Sequence, residues 1–414
     1  MRIDNYFKKD KLILWFFVIG FLVLFPLFVR LPSIAVPMPI GAILVLVSAV
    51  LIFMFSSFSK KELLFPRNWV VLTLCYVMAV FIPLLIGIGD SALPYRSIMA
   101  ALQMIMPIGA FYVFFYLLDS REKYTSLILG GFTGVCLFSV ILLLSKNNLL
   151  LSGTFEDVHP VLTGPFEFYQ FRQYVGIVMA SGILLGLFLL KSTFNSLILI
   201  IFGFIAVVAI SEMFTSAGAM MSLVAFGLIA LRFFGLSKLV FMSPIFLATF
   251  LFLGFGNALQ ESISYELLNI ARAGNRFGVW SESVEIIKGS PFFGNSFSYD
   301  SVYADRMHGS HSQLLNIWSR AGILPLLAWM GILLYAIHRS YRLMLLGSNS
   351  VYYFGYRGLF VAIIQLAFLS SIVVTSFDQP YSGTVIWLLI ALVERGHRFE
   401  TNIGELPRKT LMRA

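Results

Sequence analysis

Trp69 to Ile88, WVVLTLCYVMAVFIPLLIGI, is twenty residues without a single charge. As a helix rising about 1.5 Å per residue, such a run spans ~30 Å, the thickness of a bilayer's hydrocarbon core. Outward from it, apolar runs of similar length recur at 12–29, 40–57, 97–118, 124–144, 174–190, 193–211, 217–234, 239–256, 313–337, 358–377 and 383–393. The last is short and borrows Tyr381 to Thr384. The expected fold is therefore an all-α polytopic membrane bundle of about twelve transmembrane helices. The short joint Glu212 to Ser216 makes the seventh and eighth spans antiparallel neighbours.

Composition agrees with that reading. The 414-residue chain is 59% hydrophobic and 12% charged, with a mean hydropathy of +0.89, whereas about a quarter of a soluble domain is charged. A soluble enzyme, a secreted disulfide scaffold and a disordered tail protein are excluded. Cys75 and Cys136 lie inside apolar runs and read as packing residues. The start, MRIDNYFKKDKLILWFFVIGFLVLF, has a basic flank and no small-residue cleavage site, so it reads as an uncleaved first span.

The formal charge of +9 would suit a nucleic-acid binder, but its distribution argues otherwise. With the N-terminus in the cytoplasm, twenty Lys and Arg face eight acids on the inside, and nine face twelve acids outside. The inside is net +12 and the outside net −3. This is the positive-inside pattern, so the basic excess is topological and no nucleic acid is implied. Both termini are then cytoplasmic, with a basic tail at 395–414.

The chain divides into spans one to nine over 1–256, with an external loop near 145–173, a large external loop at 257–312, and spans ten to twelve over 313–394. Mid-span charges, the usual mark of an ion-coupled carrier, are scarce. Polar chemistry gathers instead at the outer face. In AGNRFGVWSESVEIIKGSPFFGNSF (273–297), Phe277, Trp280, Val284 and Ile287 follow one helix face, and Gly289 with Pro291 ends the helix. Arg276, one turn before Trp280, is either a headgroup anchor or a phosphate-binding fork. Asp305 to Gln313, DRMHGSHSQ, places His308 and His311 at the mouth of the tenth span. A histidine there is either an interfacial hydrogen-bonding residue or a general base. HxxH lacks a third ligand, so no metal is assigned. Arg320, below His311, is costly in hydrocarbon and should face the bundle interior or an aqueous cavity. Arg30, Arg96, Arg172, Arg272, Arg276, Arg306 and Arg320 make seven external arginines against two lysines. That preference suits bidentate phosphate or carboxylate recognition.

The run Arg276-x-x-x-Trp280, Ile286-Ile287, Pro291 and Gly294, then His311-Ser312-x-x-Leu315 and Ala321-Gly322-Ile323, resembles the O-antigen ligase/polymerase superfamily. The motifs cover about 276–323, and the topology resembles the family over the whole chain. The resemblance implies a metal-independent glycosyltransferase of the bacterial inner membrane, with a large periplasmic loop and no cofactor. Its donor is a glycan on undecaprenyl pyrophosphate, its acceptor a glycan or the lipid A core, with membrane lipids and a chain-length regulator as further partners. By motif position, His311 would be the general base and Arg276 the pyrophosphate ligand. Arg172, Arg96, Arg320, Arg272, His308 and Trp280 are the candidate binding residues beside them.

Two departures stand out. Many relatives carry an arginine at the turn that here reads SEMFTSAG (211–218), so Arg172, Arg96 or Arg320 would take its place. Ligases often have His-Asn where this chain has His311-Ser312, which favours a polymerase. The alternatives are the ligase itself and, from another class, a lipid-linked oligosaccharide transporter.

Overall fold

The computed structural model describes residues 3–29, 38–45, 47–48, 65–89, 91, 93–145, 166–168, 172–189, 274–298, 312–372 and 380–410, with scattered positions between 199 and 228. The ninth span and most of the second, seventh and eighth lie outside the described residues.

The described helices are α1 (Ile3–Leu24), α2 (Arg67–Gly87), α3 (Pro94–Ile105), α4 (Ile108–Leu117), α5 (Arg121–Ser145) and α6 (Arg172–Leu185). They continue with α7 (Gly274–Gly289), α8 (Gln313–Ala321), α9 (Ile323–Leu346), α10 (Tyr353–Ile372) and α11 (Pro380–Thr410). Beside them is a small antiparallel ribbon of β1 (Leu27–Val29), β2 (Met38–Pro39) and β3 (Phe166–Phe168), in the order β2-β1-β3. Phe28 pairs with both Pro39 and Glu167, joining the first turn of the chain to the 145–173 loop.

Among the described residues four segments are long and apolar enough to cross a membrane: Arg67–Gly87, Pro94–Leu117, Arg121–Leu144 and Ile323–Asn349. Three shorter apolar helices, Ile13–Leu24, Val175–Leu189 and Tyr353–Phe368, accompany them. The surface of α2 adds an independent argument. Trp69, Thr73, Tyr76, Val80 and Leu84 face the bundle, whereas Val71, Leu74, Met78, Phe81, Ile82 and Leu85 face outward, Leu85 with 71% exposure. A soluble helix would place polar groups on that outward face. An outward face this apolar fits a helical membrane protein.

Two expected spans are interrupted. Pro107 divides 97–118 into α3 and α4, because proline has no N–H to donate and its ring crowds the preceding turn. Gly322, with φ +88°, divides 313–337 into α8 and α9. Beyond Glu394 the last helix continues to Thr410, and its first turn past Glu394 docks on a neighbour. Arg395 Nε donates to Phe115 O, and the Arg395 guanidinium lies 4.1 Å from the Phe115 ring.

α1 and α5 run parallel along much of their length. Ser126 Oγ donates to Ile13 O at 2.6 Å, and later residues pair in ascending order. A side chain at Gly130 would overlap the Phe17 carbonyl, so glycine sets this close approach.

At one end of the bundle, acids and cations form a closed network. Glu394 accepts from Arg339 Nε (2.8 Å), Arg339 Nη2 (2.7 Å) and Trp69 Nε1 (3.1 Å). Glu400 accepts from Arg121 Nη2 (3.0 Å) and the Tyr356 hydroxyl (2.7 Å). Six helices, α2, α5, α9, α10, α11 and the α4 end bound by Arg395, are tied together there.

His397 sits in this network with Nε2 3.0 Å from Arg339 Nη1. Burial, and then the Arg339 charge, lower its pKa, with Arg342 acting the same way and Glu394 opposing. A histidine whose pKa is depressed on folding adds stability that is full above its unfolded pKa, about 6.5, and is lost as pH falls. Melting of the detergent-solubilised protein should therefore move to lower temperature between pH 7.5 and 5. His397→Gln should flatten that dependence, and an unchanged slope would refute the assignment.

Candidate functional site

The opposite end of the bundle carries the candidate site, and its framework is a knot between residues 290–298 and α8. α8 opens on Ser312, whose Oγ accepts from Leu315 N at 3.4 Å, a helix-capping bond. A helix ends with unsatisfied carbonyls, and α8 has partners for three of them. Trp318 O accepts from Gly322 N (2.9 Å), Ser319 O from Asn295 N (2.7 Å) and Arg320 O from Phe297 N (3.0 Å). Pro291 O accepts from both Trp318 Nε1 (3.0 Å) and Ile323 N (3.2 Å).

This close contact requires particular residues. Gly294 and Gly322 both have positive φ, +61° and +88°, and a Cβ on Gly322 would overlap the Phe292 carbonyl. Ser296 and Phe297 are held in the same left-handed region at φ +52° and +58°. Non-glycine residues adopt that conformation only where the surroundings over-determine it. Here Phe297 is buried, its N–H is also 3.1 Å from Asn295 Oδ1, and its carbonyl accepts from Ser97 Oγ at 2.6 Å. Ser97, fully buried in the first turn of α3, thus ties that helix to the knot.

Gly322→Ala should break this arrangement at a cost of roughly 2–4 kcal/mol, combining left-handed strain with overlap. Gly109→Ala, with open space around it, is the control and should be neutral or slightly stabilising. Equal melting temperatures for the two variants would contradict the role given to Gly322.

Three of the expected site residues have described side chains, all at this end. Arg320 is half-buried in the last turn of α8, where a cation is favoured by the helix dipole. Because the chain breaks at Gly322, Arg320 belongs to the short helix α8 and not to the long apolar helix α9. Arg96 lies next to Ser97, with its Nε 3.1 Å from the Tyr95 hydroxyl and its guanidinium 6.0 Å from the Tyr95 ring. Trp280 is half-buried on α7, which packs against α8.

α7 spans Gly274–Gly289, so its C-terminal end falls at the glycine the sequence indicates. Its inward face differs from the expected one. Ser283 and Ile287 are buried, whereas Val284 is 37% exposed. Lys288 pairs with Glu285 at 2.8 Å on the exposed side. Arg276 occupies the first turn of α7 and Arg172 the first position of α6, with their side chains outside the described residues. Arg272, His308 and His311 also lie outside them. Among the described residues no group of three His, Cys, Asp or Glu side chains is placed to hold a metal.

Several contributors escaped the sequence reading. α8 buries Ser312, Gln313, Asn316 and Ser319, a polar inward face unusual for a helix entering a membrane protein. Their spacing of one, three and three residues marks one helix face, a pattern hidden within the continuous apolar run 313–337.

No protein-family model matches the chain, and no curated protein matches it. The motif resemblance therefore rests on the quoted residues alone. Three of those residues, Pro291, Gly294 and Gly322, meet in one interlocked structure around α8.

Proposed function

We propose that the chain is a polysaccharide polymerase of the O-antigen type, joining repeat units carried on undecaprenyl pyrophosphate at the periplasmic face of a bacterial inner membrane. The interlock of Pro291, Gly294 and Gly322 supports this most, because motif residues far apart in sequence converge on one short helix. That helix begins at Ser312, the residue after His311. In this reading the knot end faces the periplasm and the Glu394 end faces the cytoplasm.

The chemistry follows from the residue types. An acceptor sugar hydroxyl attacks the anomeric carbon of the lipid-linked donor, and the new C–O bond forms as the bond to pyrophosphate breaks. His311 takes the hydroxyl proton, and undecaprenyl pyrophosphate leaves with the bonding electrons. Arg276, helped by Arg96, Arg172, Arg272 or Arg320, offsets the negative charge that grows on the leaving group. His308 and Trp280 belong to the glycan-binding surface in this reading.

The ligase alternative differs in acceptor, and Ser312 in place of Asn tilts the choice toward polymerase. Expression in a polymerase-deficient strain tests the proposal through the glycan ladder on a gel. Wild-type protein should restore long chains, whereas Arg276→Ala and His311→Ala should leave single repeat units at normal membrane levels. A transporter would tolerate His311→Ala, so normal ladders from both variants would overturn the reading.

A further inference from the structure

The inward face of α8 contains an amide with nothing to bond. Gln313 is 1% exposed, and neither its Nε2 nor its Oε1 has a hydrogen-bond partner. A side-chain amide offers two donors and an acceptor with two lone pairs. Buried amides with every site empty are rare, because desolvation is then uncompensated. The neighbouring polar groups on this helix do not relieve it. Ser312 Oγ caps the helix, and Ser319 Oγ donates to Leu315 O at 2.6 Å. On α10, which packs against α8, one amide oxygen is in a related position: Gln365 Oε1 is buried without a partner.

The unmet valences discriminate among ligands. An anion would satisfy only the Nε2 donors, and a cation only Oε1. A hydroxyl group satisfies both kinds of site, and two adjacent hydroxyls satisfy them together, one donating to Oε1 and one accepting from Nε2. Carbohydrates present that arrangement at almost every ring position.

We infer that Gln313 is a sugar-binding, specificity-determining residue of this protein, its amide pairing with ring hydroxyls of a glycan held beside α8. The inference rests on the proposed glycosyltransferase reading and names a residue that the motif resemblance does not. Since the amide is covered in the resting protein, its pairing must accompany substrate docking. Its effect should therefore appear in KM more than in kcat, and not in the stability of the ligand-free protein.

The test uses full-length protein in lipid nanodiscs, with repeat units on undecaprenyl pyrophosphate extracted from a producing strain. Gln313→Met keeps the length of the side chain and removes both kinds of hydrogen-bonding site. The expected result is a KM raised roughly tenfold to a hundredfold with kcat changed only a few-fold. The ligand-free melting temperature should hold or rise, because an unmet buried amide has been removed. An unchanged KM overturns the inference, as does a lowered melting temperature with unchanged KM, the signature of an internal water. Should Gln313→Met fail to fold, that failure also counts against a group said to be unbonded at rest, and Gln313→Leu, which removes the same hydrogen-bonding sites, then reports through KM.

His311→Ala, measured alongside, separates the two claims. Lost turnover there with unaltered KM in Gln313→Met removes the inference alone. Retained turnover in His311→Ala removes the catalytic reading. Gln313 is then judged by the thermal shift the lipid-linked unit gives: a shift in wild type that disappears in Gln313→Met sustains it, and an equal shift overturns it.

Discussion

Glu394→Ala is expected to lose about 3–5 kcal/mol of stability and most of the folded protein recovered from membranes. The Glu394 carboxylate is 5% exposed and holds the Arg339 fork through two bonds of 2.7 and 2.8 Å. It also receives Trp69 Nε1, from a side chain with no exposure that packs on Phe111, Tyr335 and Trp387. Removing one partner of a buried pair leaves the other charge uncompensated, and that penalty exceeds the net worth of the pair. Glu394→Leu with Arg339→Leu removes both charges and should recover much of the loss. Thermal unfolding of the purified single and double variants checks this. A single variant as stable as wild type would show that the network does not hold α2, α9 and α11 together.

The second large effect concerns chemistry. His311→Ala should lower turnover about 10²–10⁴-fold, the usual contribution of a positioned general base. Because the base acts on the acceptor hydroxyl in the transition state, kcat should carry the loss, with KM for the lipid-linked donor nearly unchanged. Arg276→Ala should differ, weakening donor binding as well as turnover, since a phosphate ligand acts in both states. Chelation should change neither wild-type rate nor variant rate. Activity lost to chelator and restored by Zn²⁺ or Mg²⁺ would replace the metal-independent chemistry.

The helical, membrane-adapted character of the chain was legible from runs such as 69–88, because burial in lipid needs only length and apolarity. Breaks within the runs were not. Pro107 and Gly322 both lie inside stretches whose hydropathy is continuous, and hydropathy does not register a missing N–H or a positive φ. The Glu394 network was invisible for a related reason. Arg339, Glu394 and Glu400 read as ordinary inside-facing charges, and only the packing of distant helices brings them within bonding distance. At the candidate site, Pro291 was legible as a helix stop, and Gly294 and Gly322 were visible as motif letters without a physical role. Their role is to clasp α8. Gln313 passed unnoticed because its significance is the absence of a partner, which no local pattern encodes.

The central claim is most directly tested by a single reaction: purified full-length protein in nanodiscs, supplied with repeat units on undecaprenyl pyrophosphate, with products separated by glycan length. The account predicts lipid-linked dimers and longer chains, equimolar release of undecaprenyl pyrophosphate, and both products formed roughly 10²-fold or more slowly by His311→Ala. Repeat units that remain single with active-site-intact protein, or an unchanged product ladder from His311→Ala, would contradict it.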